Sequence, residues 1–260
     1  MGNISSEVKD LLIKYHGDTK LAMKEEPELK YFLALSVTRE NVLEWFEFKE
    51  GASLLEVGSG CGALTGLYSR RVKEVTVLDE DSEDLEVNRL RHEACGNICY
   101  VKGSLDTYEG GLFDYVVMAG SLKMPYEAQI NRAKSLLKPG GTLIVAVDNR
   151  LGLKYKSGVT PDEACLLKNE LTELLCGSSD GKNGTLTYYY PMPDYRLPVT
   201  IYSDEHLPVK GELAHAVLAY DYPEYIRFDP GKFYDEICEA GVFETFANSF
   251  LAIWSSYEED

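Results

Sequence analysis

The sequence predicts an α/β fold in which a doubly wound, mostly parallel β-sheet is covered by helices on both faces. Five short apolar segments alternate with helical patterns between residues 54 and 147. Continuous apolar strands of this kind are typical of parallel sheets that are buried on both faces. The chain has 260 residues, of which 45% are hydrophobic and 27% charged, so it is long enough for one large domain with a sizeable core.

Residues 1–50 are predicted to form an N-terminal helical cap. Apolar residues recur at helical spacing from Val8 to Tyr15, after the candidate capping residues Ser5 and Ser6 and before Gly17. A second helix is predicted from a Thr38 cap to Phe46.

The sheet is predicted to have seven strands. They are expected at residues 54–57, 74–78, 98–101, 113–119, 142–147, 185–190 and 249–254. Helices are expected at residues 82–94, with Ser82 as the cap, and at 125–137, 161–175 and 230–240. Residues 191–241 are interpreted as an insertion on the substrate side of the sheet before the last strand, so that the core comprises residues 51–190 and 242–260.

The stretch LLEVGSGCGALTG (residues 54–66) is the strongest local indication of a ligand site. It reads as a buried strand followed by a glycine-rich turn that opens a helix. Glycines permit a tight turn and a close approach of the backbone to a ligand, but the same spacing also satisfies the permissive dinucleotide pattern. Two cofactor classes, NAD and S-adenosylmethionine (SAM), are therefore compatible with the glycines alone.

Glu56 favours SAM over NAD. A carboxylate at the mouth of the turn would repel a pyrophosphate, whereas it suits the ammonium and sulfonium cations of SAM. Asp79, at the end of the second strand, can accept the ribose hydroxyls of either cofactor.

From Thr38 to Tyr155 the chain resembles class I SAM-dependent methyltransferases, whose core is a Rossmann-like seven-stranded sheet. Four segments carry the resemblance in the expected order: LLEVGSGCGALTG, TVLDED (76–81), FDYVVMAGSL (113–122) and LLKPGGTLIVAVDNR (136–150). The segments TRENVLEWFEFKEGASLLEVGSGCGALTG, DNRLGLKY and YYYPMPDYRLPVTIYSDEHLP are similar to a bacterial subgroup that is linked with glycosyltransferases in surface-glycan pathways.

The resemblance implies a cofactor site with SAM as the cofactor. Its residues would be Glu56, Gly58, Ser59, Gly60 and Gly62 at the methionine part, Asp79 at the ribose, Glu80, Ser104 and Leu105 at the adenine, and Ala119 and Gly120 near the sulfonium. Lys123 departs from the subgroup, in which an acid is common at this position, and we expect its side chain to point outward because a cation facing the sulfonium is costly.

Candidate catalytic residues follow the fifth strand. Asp148, Asn149 and Arg150 lie where open α/β sheets place their chemistry. A group of tyrosines further along the chain could line an acceptor site by stacking on sugar or aromatic rings: Tyr188, Tyr189, Tyr190, Tyr195 and Tyr202. The expected reaction is methyl transfer to a small-molecule or glycan acceptor, with a base needed only for a hydroxyl.

Composition and motifs narrow the partners. The net charge of −17 argues against nucleic-acid binding, and the chain has neither a membrane-length apolar run nor cysteines and histidines at metal-ligand spacing. We expect a cytoplasmic protein that binds no metal and that could associate with a glycosyltransferase. Two alternatives remain open: a catalytically inactive SAM-binding module in a glycan-assembly system, and an NAD-dependent oxidoreductase.

Overall fold

A computed structural model describes residues 4–161, 164–177, 184–216 and 219–257. In these ranges the strands form a single mixed sheet in the order β3-β2-β1-β4-β5-β8-β6-β7. The strands are β1 (Ser53–Val57), β2 (Glu74–Asp79), β3 (Ile98–Lys102), β4 (Phe113–Ala119), β5 (Leu137–Asp148), β6 (Gly184–Met192), β7 (Thr200–Ser203) and β8 (Ser249–Ser256). The first five are mutually parallel, while β8 runs antiparallel between β5 and β6.

The prediction of seven strands is wrong by one. The additional strand, β7, contains four residues and pairs antiparallel with the end of β6 at the edge of the sheet. So short a strand inside a proline-rich stretch carries almost no periodic signal, which is why the sequence did not indicate it. The doubly wound arrangement with a parallel majority is confirmed.

Helices cover both faces of the sheet, as predicted. They are α1 (Ile4–Lys14), α2 (Thr19–Glu25), α3 (Leu29–Leu35), α4 (Asn41–Glu44), α5 (Thr65–Arg71), α6 (Ser82–Arg91), α7 (Tyr126–Ser135), α8 (Leu153–Lys156), α9 (Lys168–Cys176), α10 (Pro230–Glu239) and α11 (Phe243–Phe246). The adjacent residues Leu54 and Leu55 of β1 are both fully buried, on opposite faces of the sheet. Leu54 belongs to a core formed with α4, α5 and α6, and Leu55 belongs to a core formed with α7, α9 and α10.

Helix starts differ from the sequence expectation at three places. Asp81, rather than Ser82, caps α6, and its side chain accepts a hydrogen bond from the Glu83 amide. Ser36, rather than Thr38, caps a 3₁₀ helix at Val37–Glu40 that leads into α4. The predicted helix at 161–175 is the shorter α9, and residues 162 and 163 lie outside the described residues.

The N-terminal helices pack against the glycine turn. Val8 and Leu12 of α1 belong to one buried cluster with Val87 of α6 and Cys61 of the turn. Arg91 reinforces this contact by donating to the carbonyls of Ala34, Leu35 and Cys61 at 2.7, 2.9 and 3.1 Å. The helical lead-in thus shapes the backbone of the turn.

The segment after β6 returns to the carboxyl ends of β4 and β5. Residues 193–198, which we call the 193–198 turn, lie between β6 and β7. The Pro198 carbonyl accepts a hydrogen bond from Asn41 at 2.9 Å, and Arg196 pairs with Asp148 at the end of β5. The turn therefore covers the edge of the sheet at which α/β folds bind ligands.

Candidate cofactor site

The glycine turn lies where β1 ends, and its conformation requires glycine. Gly58 has a φ of +68°, and a Cβ added to it would collide with the Cβ of Ser121. Ser121 in turn donates from its hydroxyl to the Val57 carbonyl at 2.5 Å. The ends of β1 and β4 are thus in close contact, and a cavity lies on each side of this contact.

The first cavity, the Glu56 chamber, brings a buried acid together with the side chains of Arg39 and Tyr68. Glu56 is 5% exposed, accepts a hydrogen bond from the Thr65 hydroxyl at 2.6 Å, and faces Arg39 and Tyr68. Burial raises the pKa of Glu56 to about 8. Arg39 Nε and Tyr68 Oη are buried and make no hydrogen bond in the part of the chain that the structure describes.

Buried polar groups are almost always hydrogen-bonded, so this combination indicates a ligand with complementary groups. An ammonium would pair with Glu56, and a carboxylate would accept hydrogen bonds from Arg39 and Tyr68. A molecule that carries an ammonium and a carboxylate on the same carbon atom is an α-amino acid. The chamber encloses about 10 Å³, no more than one water needs, so its side chains must move apart to admit that group.

Arg39 and Tyr68 were missed at the sequence level. Arg39 lies in the 3₁₀ helix before α4, where its Nη2 donates to the Ala119 carbonyl at 3.0 Å, and Tyr68 lies on α5. Neither belongs to a motif that identifies it. The one available signal was indirect. A ligand whose ammonium pairs with a buried acid and which also carries a carboxylate needs a second protein group, typically an arginine, for that carboxylate.

The second cavity, the Asp79 chamber, has a volume of about 110 Å³. It is lined by Leu78, Asp79, Glu80, Gly103, Ser104, Leu105, Ser121, Lys123 and Gln129, and it shares Val57 and Gly58 with the Glu56 chamber. The Lys123 ammonium contacts the Glu80 carboxylate at 2.6 Å, and both side chains are more than half exposed. Lys123 therefore points outward, in agreement with the expectation.

Asp79 joins the two chambers. One of its carboxylate oxygens accepts hydrogen bonds from the amides of Ser59 and Gly60 at 2.8 and 3.2 Å, and the other from the amide of Asp81 at 3.1 Å. Because Asp81 itself caps α6, Asp79 is not needed as a helix cap. The carboxylate at the end of β2 holds the glycine turn and borders the Asp79 chamber.

Comparisons with known proteins identify a domain in the part of the chain that contains the glycine turn. Residues 54–141 match the family model described as "Methyltransferase domain". This part of the chain is therefore a methyltransferase domain. A methyltransferase domain supports SAM as the cofactor and gives the alternative of an NAD-dependent oxidoreductase no support.

Curated relatives of this chain include two O-methyltransferases. Over 119 residues the chain is 37% identical to a ubiquinone biosynthesis O-methyltransferase of Xanthomonas campestris pv. campestris (strain B100), a match that covers 44% of this chain and 50% of that protein. Over 106 residues it is 31% identical to the protein of the same name from Pectobacterium atrosepticum, covering 38% of this chain and 44% of that protein. The chain thus spans about half the length of the curated relatives it matches.

Solved structures extend the likeness to the whole fold. The N-methyltransferase NodS of Bradyrhizobium japonicum WM9, in complex with S-adenosyl-L-homocysteine (SAH), has a TM-score of 0.54 at 13% identity over 99% of this chain and 100% of that chain. A putative methyltransferase in complex with the Trm112 activator of Haloferax volcanii has a TM-score of 0.55 at 15% identity over 97% and 99% of the two chains. At these identities the likeness shows the fold alone.

The three candidate catalytic residues at the end of β5 all make hydrogen bonds or ion pairs within the protein. Asp148 is 4% exposed and accepts two hydrogen bonds from Arg196, at 2.8 and 3.1 Å. Asn149 is fully buried and donates to the carbonyls of Thr245 and Ala247, while Arg150 pairs with the carboxylate of Glu170. A catalytic role for these three residues stays a prediction. Their contacts favour a structural role, in which they hold the neighbouring loops in place.

Burial alone would raise the pKa of Asp148, but Arg196 and Lys154 hold it below its ordinary value. Lys154 lies 3.3 Å from the same carboxylate, and the Tyr155 hydroxyl donates to it at 2.9 Å. Asp148 is accordingly an ionised anchor and a weak base.

The tyrosines are divided between the two sheet faces. Tyr188, Tyr190 and Tyr202 belong to the core that packs on α9 and α11, with Tyr190 and Tyr202 against Phe243. Tyr195, by contrast, reaches the end of β4, where a Cβ added to Gly120 would lie 2.5 Å from its hydroxyl.

A further cavity, of about 800 Å³, lies away from the two chambers. It runs between α7 and α9 and includes Tyr126, Lys134, Arg150 and Trp254. Among the described residues there is no group of three or more His, Cys, Asp or Glu side chains that could hold a metal ion, and no helix long and apolar enough to cross a membrane.

Proposed function

We propose that this chain is a SAM-dependent methyltransferase that transfers a methyl group to a hydroxyl of a small molecule or glycan. The observation that carries the proposal is the Glu56 chamber, in which a buried acid and two buried donors without partners complement an α-amino acid. In the adjoining Asp79 chamber, which Asp79, Glu80 and Leu105 line, we assign Asp79 to the ribose and Glu80 with Leu105 to the adenine.

The methyl group of bound SAM is already activated by the sulfonium, so the protein has to bind and orient rather than activate. Glu56, once ionised, holds the ammonium, and Arg39 with Tyr68 holds the carboxylate. The backbone from Gly58 to Gly62 lets the cofactor approach the turn closely. The 193–198 turn excludes water from the carboxyl ends of β4 and β5.

The acceptor is the less constrained part of the proposal. The two curated relatives are named O-methyltransferases, which supports a hydroxyl acceptor, but each matches less than half of this chain. The glycan acceptor, association with a glycosyltransferase and a cytoplasmic location rest on the subgroup resemblance. We assign residues 191–241 to acceptor binding, residues 1–50 to the cap, and residues 51–190 with 242–260 to the core; residues 1–3 and 258–260 lie outside the described residues.

Calorimetry tests the cofactor assignment. We expect SAH to bind and NAD not to bind. Glu56→Gln should weaken SAH binding at pH 8 by tenfold or more, because it removes a charged hydrogen-bond partner. Glu40→Gln is the matched control, since Glu40 pairs with Arg70 and lies outside both chambers. Equal affinity of all three proteins for SAH would contradict the assignment.

A methyl-transfer assay then separates the enzyme from the inactive SAM-binding module. Labelled SAM would be supplied with a panel of phenols, sugars and nucleotide sugars, and transfer to any of them supports the proposal. Binding of SAH without transfer to the panel would favour the inactive module. The relatives named above are enzymes, which gives that alternative no support.

A further inference from the structure

We propose that the Tyr195 hydroxyl lies at the point of methyl transfer, with its oxygen beside the methyl group of bound SAM, and that the Arg196–Asp148 ion pair holds it there. This inference rests on the proposed function, because it uses the placement of SAM in the two chambers. It assigns a role to the 193–198 turn that neither the motifs nor the relatives supply.

The covalent structure of SAM fixes where the sulfonium lies. The sulfur joins the methionine chain to the adenosyl group, so it must occupy the junction of the two chambers. Both chambers are bordered by Val57 and Gly58, while Ala119 lines the first and Ser121 the second. Gly120 stands between these two residues, and the sulfonium is expected beside it.

Tyr195 is the side chain that reaches Gly120. A Cβ on Gly120 would lie 2.5 Å from the Tyr195 hydroxyl and 3.0 Å from its ring. The Tyr195 side chain is 3% exposed, yet within the ranges that the structure describes its hydroxyl makes no hydrogen bond. The hydroxyl oxygen at the end of β4 can therefore accept a contact from a bound ligand.

The surroundings hold this ring in one position. The Tyr195 amide donates to the buried Ser249 hydroxyl at 3.0 Å. The next residue, Arg196, makes the two hydrogen bonds to Asp148, and its guanidinium lies 4.5 Å from the centre of the Tyr195 ring. Arg39 approaches the same ring at 5.7 Å. Arg196 and Asp148 are therefore positioning residues for Tyr195.

The hydroxyl acts as a neutral group. Burial raises the pKa of Tyr195 to about 12, so the phenol keeps its proton at neutral pH. Its oxygen can contact the hydrogens of the sulfonium methyl group, which carry partial positive charge. With SAM bound, the Tyr195 oxygen would lie to the side of the methyl group and would leave the direction opposite sulfur open to the acceptor. No bond to Tyr195 forms or breaks.

Sinefungin provides a test that needs no acceptor. This SAM analogue carries an ammonium in place of the methyl group, whereas SAH has nothing there. Tyr195→Phe removes only the hydroxyl, and Tyr202→Phe is the matched control because Tyr202 packs against Phe243 on the other sheet face. Dissociation constants of both ligands would be measured by calorimetry for the wild type and the two variants, with melting temperatures recorded.

We expect Tyr195→Phe to weaken sinefungin binding by tenfold or more and to leave SAH binding within twofold, because only sinefungin donates a charged hydrogen bond to the oxygen. Tyr202→Phe should change neither. Loss of both ligands by the same factor in Tyr195→Phe, or no change in either, would overturn the inference. If the wild type fails to bind SAH, the proposed function itself is wrong, so the two failures are distinguishable.

Discussion

The charge of Glu56 offers the sharpest test of the proposed cofactor site, because the proposal requires this charge to change when SAM binds. Burial raises the pKa of this carboxyl to about 8, so about nine in ten ligand-free molecules carry it protonated at pH 7. A neutral carboxyl cannot form an ion pair with the ammonium of the cofactor. Binding therefore requires the loss of a proton, and the dissociation constant of SAH should fall about tenfold between pH 6 and pH 7 and level off near pH 8.

Titration calorimetry in two buffers of different ionisation enthalpy would measure both the affinity and the released proton. At pH 7 we expect nearly one proton to leave per SAH bound. The α-amino group of SAH is that of a free amino acid, whose adjacent carboxylate keeps the ammonium charged over this pH range, so the released proton comes from Glu56. In Glu56→Gln the proton release should vanish, and the affinity should no longer depend on pH in this range.

The same shift predicts how stability depends on pH. The folded protein binds the Glu56 proton up to about pH 8, whereas the unfolded chain releases it near the ordinary value of 4.5. The contribution to the free energy of unfolding is thus fully present below pH 4.5 and is lost as the pH rises towards 8, by at most about 5 kcal/mol. Identical SAH affinities at pH 6 and pH 7.5, with no buffer dependence, would refute the reasoning for both effects.

The remaining predictions concern three neighbours of the chambers. Arg39→Gln should weaken SAH binding about tenfold or more but leave 5′-methylthioadenosine unaffected, because that compound has no carboxylate; equal losses for both ligands in calorimetry would contradict this. Lys123→Ala should change the melting temperature by less than about 1 °C, because exposed ion pairs such as that with Glu80 contribute little. A larger drop would show that this pair is structural. Gly120→Ala should destabilise the protein by roughly 1–3 kcal/mol, because the φ of Gly120 is +82° and the new Cβ meets the Tyr195 hydroxyl. In urea unfolding, the double variant with Tyr195→Phe should recover part of this loss. No recovery would argue against the contact.

The sheet up to β5 could be predicted from the sequence because each strand is a continuous apolar run between turn residues. The same signal located the glycine turn and Asp79, since both follow directly from such a strand. β7 could not be predicted in this way. Its four residues are held by pairing with the end of β6 rather than by any pattern of their own.

The side chains that complete the site come from segments far apart in the chain. Arg39 meets Glu56 only after the N-terminal helices have packed against the sheet, and Tyr195 meets Gly120 only after β6 has paired with β8. Long-range pairing of this kind leaves no mark in local spacing. A sequence can therefore indicate the backbone of the cofactor site while giving little indication of the groups that surround the ligand.

Two buried acids at the same edge of the sheet show why burial alone does not identify a functional carboxylate. Glu56 and Asp148 are 5% and 4% exposed, but their pKa values are shifted in opposite directions. Asp148 is ionised because Arg196 supplies two hydrogen bonds within the protein, and breaking that pair would leave an uncompensated charge. Glu56 accepts its hydrogen bond from a neutral threonine hydroxyl, so its negative charge lacks a hydrogen-bonded counter-ion until a cationic ligand arrives. A buried acid without a paired cation therefore indicates the ligand site, whereas a buried acid with one indicates an anchor of the fold.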